Sequence, residues 1–157
     1  MIEIAIPGSA SLRIEHLVLD YNGTLARDGV PLPRATELLE RLGESVQVHI
    51  VTADTFGTAR EKLAGIGSDL VVLHCKEQDR AKLEYAEQLG IDRTVCIGNG
   101  RNDLLMIKEA LLGIVVVQEE GACSQTLFHA DIVCKSIVDA LELLIHPRRL
   151  AATLRNG

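Results

Sequence analysis

The sequence predicts an α/β protein whose mostly parallel sheet is covered by helices on both faces. Short apolar runs of strand length alternate with segments in which apolar residues recur every three or four positions. Short connections join these segments, which is typical of strand–helix–strand units. The 157 residues contain no linker, repeat or change of composition, so a single domain over residues 1–157 is expected.

The amino-terminal segment is predicted to supply two strands. Residues 1–6 alternate between apolar and polar side chains, and a Pro-Gly-Ser turn leads into a second strand that ends at Asp20. We expect these two strands to pair as a hairpin on one edge of the sheet. Residues 29–33, which contain one glycine and two prolines, are predicted to form a loop.

The remainder of the chain alternates regularly between helices and strands. Helices are predicted where apolar residues repeat with helical spacing, at residues 34–42, 56–64, 78–89, 104–112, 136–145 and 147–154. Strands are predicted at short apolar runs, at residues 46–51, 70–73, 94–97, 114–117 and 130–133. Because helices separate most of the successive strands, parallel pairing is favoured.

The composition argues against nucleic acid as an obligatory partner. The net charge is -6 and the isoelectric point is about 5.3, which is the wrong sign for binding a phosphate backbone. The chain has no Trp, two Tyr and two Phe, so few rings are available for stacking on bases.

Nothing in the sequence indicates a membrane partner. No apolar run approaches the ~18 residues that a membrane crossing requires, and the first residues lack the basic start of a signal peptide. The four cysteines form no CxxC pair and are predicted to be buried free thiols. A cytoplasmic location is therefore expected.

Polar side chains stand where the predicted strands end. Asp20 follows the apolar run 17–19, and Asn22 with Gly23 then turns the backbone. Thr52 follows the next strand along the chain, and residues 99–103 follow a later one. Because parallel strands end at one edge of a sheet, we expect these side chains to surround a single crevice.

Lys82 completes the set, since the helix that carries it leads into the strand before residues 99–103. A carboxylate nucleophile, a hydroxyl donor, a cation and metal-ligand oxygens are the groups that move a phosphoryl group through an aspartyl-phosphate. Mg²⁺ favours such hard oxygens and commonly shares its shell with a substrate phosphate. The sequence therefore predicts Mg²⁺-dependent chemistry on a phosphorylated substrate.

Four segments resemble, in order and spacing, the motifs of the haloacid dehalogenase (HAD) superfamily. They are residues 20–24 (DYNGT), residues 51–54 (VTAD), Lys82 and residues 98–103 (GNGRND). The resemblance spans essentially the whole chain and implies a three-layer, Rossmann-like domain. Residues 52–54 and 100–103, with ADIV at 130–133, are most similar to the phosphorylation domain of P-type ATPases, which implies a soluble P-type-ATPase-like subgroup.

The resemblance implies roles for the first two motifs. Asp20 matches the nucleophile that is phosphorylated and that also binds Mg²⁺. Asn22 matches the position whose backbone carbonyl binds Mg²⁺ and whose side chain is usually the acid/base Asp of phosphatases, and Thr24 would support this loop. Thr52 and the backbone amide of Ala53 would bind the phosphoryl oxygens.

The other two motifs supply the cation and the remaining metal ligands in this resemblance. Lys82 matches the lysine that neutralises the nucleophile and the phosphate, and it fits the spacing better than Lys76 does. Asn99 and Asp103 match the two acidic metal positions, with Asn102 beside them as a substrate contact. Arg101 and Asp54 lie at the same edge and are interpreted as surface charges.

Two substitutions depart from the family pattern. Asn22 stands where phosphatases carry a general acid/base, and an amide neither takes nor gives a proton near neutral pH. Asn99 stands where a carboxylate normally binds Mg²⁺, so weaker metal binding is expected. The first hypothesis is therefore an enzyme that hydrolyses its substrate slowly. The second is a catalytically degenerate module that binds phosphate or a protein partner.

Spacing and motif content address three further questions. The intervals from Asp20 to Thr52 and from Thr52 to Lys82 are too short for a cap domain, so an open crevice is expected. Homo-oligomerisation or a large substrate would then close it. A phosphoacceptor receiver domain fits less well, because residues 20–24 are foreign to it. Nucleotide-binding folds fit poorly, because Gly98-Asn99-Gly100 lacks the third glycine of the dinucleotide fingerprint.

Overall fold

The computed structural model describes residues 1–53, 59–65 and 67–156. Its strands are β1 (Ile2–Ile4), β2 (Leu12–Ile14), β3 (His16–Asp20), β4 (Ala26–Arg27), β5 (Val30–Pro31), β6 (Gln47–Thr52), β7 (Asp69–Val72), β8 (Thr94–Gly98), β9 (Leu112–Val116) and β10 (Ile132–Cys134). Its helices are α1 (Pro33–Gly43), α2 (Ala59–Lys62), α3 (Gln78–Leu89), α4 (Leu104–Glu109), α5 (Ser124–His129), α6 (Ile137–Ile145) and α7 (Pro147–Leu154). Two 3₁₀ turns, Ile91–Arg93 and Arg101–Asp103, flank β8.

A parallel sheet of six strands forms the centre, in the order β10-β9-β8-β3-β6-β7. The predicted α/β class is therefore confirmed. The strand order places β3 between β8 and β6, and the chain reverses its direction of growth across the sheet at this strand. In open parallel sheets such a switch point is where ligand crevices form.

Helices cover both faces, as the alternating pattern predicts. Leu17 and Leu19 point to the face that α1, α6 and α7 cover, whereas Val18 points to the face that α3 and α4 cover. All three side chains are fully buried. A run of consecutive apolar residues is favoured in a strand that has helices on both sides, and each such side chain contributes about 1.5–3 kcal/mol to folding.

The prediction of a hairpin at the edge of the main sheet is wrong. β1 pairs with β2 in a separate antiparallel ribbon, and β3 leaves that ribbon to become a central strand. The division falls at Glu15, whose amide donates to the carbonyl of Arg93 and whose carbonyl accepts from the amide of Gln47. The reason is burial, since the apolar run 17–19 needs cover on both faces and an edge ribbon offers it on one.

The predicted loop at residues 29–33 contains instead the second strand of a small hairpin, β4–β5. Its two turn residues, Asp28 and Gly29, have φ values of 52° and 73°. An Asp-Gly pair with both residues in the left-handed region matches the tight turn that suits the twist of paired strands.

Two boundaries after residue 104 also differ from the prediction. The helix predicted at residues 104–112 ends at Glu109, and Leu112 begins β9, where Gly113 packs so closely on the backbone of Ile107 that a side chain would not fit. Helix α5 was not predicted, because its six residues give too short a pattern.

Cys75 is exposed, contrary to the prediction, whereas Cys96 and Cys134 are buried free thiols.

The helix predicted at residues 56–64 is observed at α2, and residues 54–58, which include Asp54, lie outside the described part of the chain. Among the described residues between Asp20 and Lys82, the elements are the β4–β5 hairpin, α1, β6, α2 and β7. These belong to the central domain, so this part of the chain contains no cap.

Candidate active site

The carboxyl ends of three central strands bring the predicted residues to one edge of the sheet. Asp20 is the last residue of β3, Thr52 the last of β6, and Asn99 follows β8 directly. In the sheet register Asp20 lies beside Val51 of β6, and Leu19 lies beside Ile97 of β8. Parallel pairing with this register places the three polar positions at the same level.

Lys82 connects the two carboxylates of this edge. Its Nζ donates to Asp20 Oδ1 and to Asp103 Oδ1, both at 2.6 Å. The exposed fractions are 1% for Lys82, 7% for Asp20 and 0% for Asp103, so the cluster is removed from solvent. Lys76 is exposed, in contrast, and the lysine chosen by spacing is the one at the site.

Helix α3 carries Lys82 and is tied to the sheet one turn further along. Tyr85 hydroxyl and His49 Nδ1 of β6 are 2.8 Å apart, and His49 Nε2 is 3.2 Å from His16 Nδ1 of β3. Residues three apart on a helix share a face, so this contact orients the same face that presents Lys82. This pairing could not be predicted from the sequence, where His49 is only a polar residue inside an apolar strand.

Asp103 has most of its hydrogen-bonding capacity occupied. Its Oδ2 accepts from the backbone amides of Asn99 at 3.0 Å and Gly100 at 2.8 Å, while Oδ1 accepts from Lys82. A Cβ atom on Gly98 would collide with this carboxylate. Asp103 therefore fixes the loop after β8, and one lone pair of Oδ1 is left for a further partner.

With both carboxylates ionised, the cluster has one more negative charge than positive charge. Burial first, and then Asp103, raise the pKa of Asp20 to about 7 against the opposing effect of Lys82. Burial lowers the pKa of Lys82, but the two carboxylates outweigh it and hold its pKa above the usual value. An uncompensated buried carboxylate favours the arrival of a second cation.

The Asn99 side chain bridges two loops and uses both ends of its amide. Thr24 Oγ1 donates to Asn99 Oδ1 at 3.3 Å, and Asn99 Nδ2 donates to the carbonyl of Gly121 at 3.0 Å. An aspartate here would turn a carboxylate oxygen toward that carbonyl, which cannot donate to it. This contact gives a physical reason for the amide at position 99.

The loop after Asp20 is held in a tight turn. The carbonyl of Tyr21 accepts from the amide of Ala26 at 2.8 Å, and Gly23 has a φ of 78°, which favours glycine. Asn22 is half-buried at the front of this turn and bridges to Ala26. The turn thus fixes the backbone at Asn22, two residues after Asp20.

The other predicted contacts lie around this centre. Thr52 is buried, its carbonyl accepts from the amide of Leu73 at 2.8 Å, and Ala53 follows it half-buried. Asn102 Nδ2 donates to Gln78 Oε1 at 3.0 Å, so this side chain ties its loop to the start of α3. Arg101 is exposed.

Gln118 is part of the site and was missed by sequence reasoning. Its Nε2 donates to the carbonyls of Gly23 and Thr24, at 3.1 and 2.9 Å, and its Oε1 accepts from the amide of Ile137. One side chain therefore joins the loop after β3 to the start of α6. A single glutamine in a loop has no local pattern that would have revealed this.

Solved structures with a similar fold include proteins described as phosphatases and as HAD-superfamily hydrolases. The phosphatase of 3-deoxy-D-manno-octulosonate 8-phosphate from Moraxella catarrhalis, solved with a magnesium ion, a phosphate ion and a KDO molecule, superposes with a TM-score of 0.73, at 19% identity over 90% of this chain and 94% of that one. A protein described as a HAD-superfamily (subfamily III A) hydrolase from Legionella pneumophila gives a TM-score of 0.73, at 20% identity over 89% and 86% of the two chains. The chain has the α/β, Rossmann-like HAD fold, and the described residues include no cap.

The sequence relationship is narrower. The chain belongs to the same family as the uncharacterized protein MJ0073 of Methanocaldococcus jannaschii, with 48% identity over 80 residues, which cover 48% of this chain and 86% of that protein. No protein-family model matches the chain. The P-type-ATPase-like subgroup stays a prediction. Among the described helices, none has the length and apolar content that a membrane crossing requires.

Proposed function

We propose that the chain is a slow, Mg²⁺-dependent phosphohydrolase or phosphotransferase that forms an aspartyl-phosphate at Asp20. The observation that carries the proposal is the buried Lys82 ammonium, shared at 2.6 Å between Asp20 and Asp103 at the sheet's switch point. The fold is that of phosphatases, one of which holds magnesium and phosphate.

The donor set suits magnesium. Within the described residues no group of three or more His, Cys, Asp and Glu side chains could hold a metal ion, so backbone and amide oxygens would have to complete a metal site beside Asp20 and Asp103. Asp20, the Asn22 carbonyl, Asn99 Oδ1 and the remaining lone pair of Asp103 would hold Mg²⁺ with hard oxygens. A bound Mg²⁺ would supply positive charge against the phosphate and balance the excess carboxylate.

The residues of the site then act in two steps. An Asp20 oxygen attacks phosphorus, the bond to the leaving oxygen breaks, and Lys82 and Thr52, with the Ala53 amide, hold the phosphoryl oxygens. Water next attacks phosphorus, which releases inorganic phosphate and restores the Asp20 carboxylate. Thr24 supports the loop through Asn99.

Asn22 sets the rate in this proposal. It cannot protonate the leaving oxygen or deprotonate the attacking water, so those protons are exchanged with solvent. General acid–base assistance is typically worth about 10²–10⁴-fold, so both steps are slow. A different acceptor in place of water would make the protein a phosphotransferase. Homo-oligomerisation over the open crevice stays a prediction.

A second function, a catalytically degenerate module that binds phosphate or a protein partner, is favoured by one observation. Asn99 and Asp103 already satisfy most of their hydrogen-bonding groups with the protein itself. In such a module the site would bind phosphate through Lys82 without catalysing its transfer or hydrolysis.

The test is a panel of aryl and small-molecule phosphates with Mg²⁺, comparing the wild type with Asp20→Asn. We expect slow, chelator-sensitive turnover that falls by about 10²-fold or more in the variant, to the rate without enzyme. Asp92→Asn, an exposed aspartate in the turn before β8, is the matched control and is expected to match the wild type. Turnover that survives in Asp20→Asn contradicts the mechanism, and absence of turnover in the wild type favours the binding module.

A further inference from the structure

Strand β10 forms one edge of the six-stranded sheet, and within the described part of the chain no strand pairs with its outer side. The carbonyl of Cys134 accepts from the amide of Val117 at 2.9 Å, so the backbone groups of Cys134 face β9. Because successive residues of a strand direct their backbone groups to opposite sides, the amide and carbonyl of Val133 face the open edge. Such an edge is a template for pairing with another strand.

Apolar side chains are exposed beside these backbone groups. Val133 is 51% exposed, and Phe128, near the end of the helix that leads into β10, is 81% exposed. Ile132 and Cys134 point to the face that α6 covers, so Val133 between them points to the face that carries α5. Phe128 belongs to α5 and therefore lies on the same side of the sheet as Val133. Apolar groups that are exposed together in this way are typical of interaction surfaces.

The two residues that flank β10 have opposite charges. Asp131 and Lys135 are both exposed, and neither forms an ion pair within the described part of the chain. Each lies two positions from Val133, so the three side chains share one face of the strand. Asp131 Oδ2 accepts from the amide of Gly113 at 2.7 Å, which leaves Oδ1 for a second donor.

We infer that β10 pairs with β10 of a second copy of this chain, antiparallel and centred on Val133, and so joins two six-stranded sheets. Under this two-fold symmetry Asp131 of each copy faces Lys135 of the other, whereas parallel pairing in register would place like charges together. The backbone groups of the two Val133 residues would exchange two hydrogen bonds between these charge pairs. A second copy is the occupant because the flanking charges are complementary to themselves under one symmetry operation.

A groove of about 370 Å³ between β10 and α6 extends this surface. The extension matters because stable interfaces bury about 1,200–2,000 Å², which three paired residues do not supply. The walls of the groove carry two acids, Asp139 and Glu142, two bases, Lys135 and Arg149, and the half-buried Leu143. Equal numbers of acids and bases allow the same wall of a second copy to approach without net repulsion.

This interface is independent of the proposed function. Strands β8 and β9 lie between β10 and β3, which carries Asp20, so pairing at β10 leaves the active-site edge of both copies open. Failure of one proposal therefore leaves the other intact.

Sedimentation equilibrium of the full chain tests the inference, because a monomer has a mass of 17.1 kDa and a dimer twice that. We expect the wild type to dimerise at or below about 0.2 mM, the range of a modest interface. Lys135→Glu is expected to raise the dimer Kd about tenfold or more, because both flanking pairs then place like charges opposite each other. Val133→Pro removes the outward amide, a change that edge strands tolerate, and is expected to abolish the dimer.

The matched control is Lys76→Glu, which makes the same change of charge on an exposed lysine after β7, at the opposite edge of the sheet. Its Kd is expected to stay within about twofold of wild type. A wild type that is monomeric at about 0.2 mM, or a dimer that Lys135→Glu and Val133→Pro leave unchanged, would overturn the inference.

A mixture of two variants gives the sharpest measurement. Asp131→Lys and Lys135→Glu should each be monomeric alone, with circular dichroism used to confirm that both are folded. Mixed in equal amounts they should form a heterodimer, because every flanking pair then joins a lysine to an acid. A mixture of the two folded variants that stays monomeric would contradict the antiparallel register.

Discussion

Replacement of Lys82 by methionine is expected to lower the free energy of unfolding by about 3–5 kcal/mol, because removing one partner of a buried ion pair leaves an uncompensated charge. Loss of the Lys82 ammonium leaves two buried carboxylates, Asp20 and Asp103, close together without the cation between them. Methionine keeps the length and apolar stem of the side chain, so the change measures the charge and its hydrogen bonds. Equilibrium urea denaturation at pH 7.5 without divalent cations gives the free energy of unfolding.

The matched control is Lys108→Met, on helix α4, where the lysine is half exposed and its 3.3 Å ion pair with Glu109 is at the surface. Exposed pairs of this kind contribute about 0–1 kcal/mol. The double variant Lys82→Met with Asp20→Asn removes one of the two carboxylates and should recover part of the lost free energy of unfolding. If Lys82→Met alone fails to fold, the double variant can be measured in its place. Equal stability of Lys82→Met and Lys108→Met would contradict the account of the buried cluster.

The replacement Asn22→Asp is expected to raise the turnover of an aryl phosphate by about 10²-fold or more, the usual value of a general acid–base group. The half-buried Asn22 lies at the front of the turn that follows Asp20, and that turn is already fixed by Tyr21, Ala26 and Gln118. A carboxylate in the same place would take the proton of the attacking water and give a proton to the leaving oxygen. Steady-state kinetics with saturating Mg²⁺ measures the change.

Asn102→Asp is the matched control, because it makes the same chemical change on the neighbouring loop. Its amide donates to Gln78 at the start of α3, so no gain in turnover is expected. If Asn22→Asp turns over the aryl phosphate no faster than the wild type, or if both variants gain equally, the role assigned to position 22 is contradicted.

Several elements with a clear apolar pattern were predicted correctly. The bounds of α3 agree with the prediction, and the apolar run before Asp20 became a central strand of a parallel sheet. Parallel pairing then explains why Asp20, Thr52 and Asn99 meet at one edge, although they are far apart in the chain. Lys82 was predicted at that edge for two other reasons: its helix leads into β8, and its distance from the Gly98 loop resembles the spacing of the HAD motifs.

Features that depend on contacts between loops could not be predicted in this way. Gln118 and Gly121 lie in a short turn with no periodicity, and their positions follow from hydrogen bonds of Gln118 to Gly23 and Thr24 and of Asn99 to Gly121 rather than from local preference. The hairpin at Asp28 and Gly29 did have a local signal, the two-residue Asp-Gly turn, which the prolines nearby obscured.

The most direct test of the account is the reaction of the protein with beryllofluoride, which takes the place of a phosphoryl group on a carboxylate. Fluorine NMR of the wild type is expected to show bound beryllofluoride resonances that require Mg²⁺ and that are absent from Asp20→Asn. Bound resonances that persist in Asp20→Asn, or a wild type that forms no adduct at saturating Mg²⁺, would contradict the claim that Asp20 accepts a phosphoryl group.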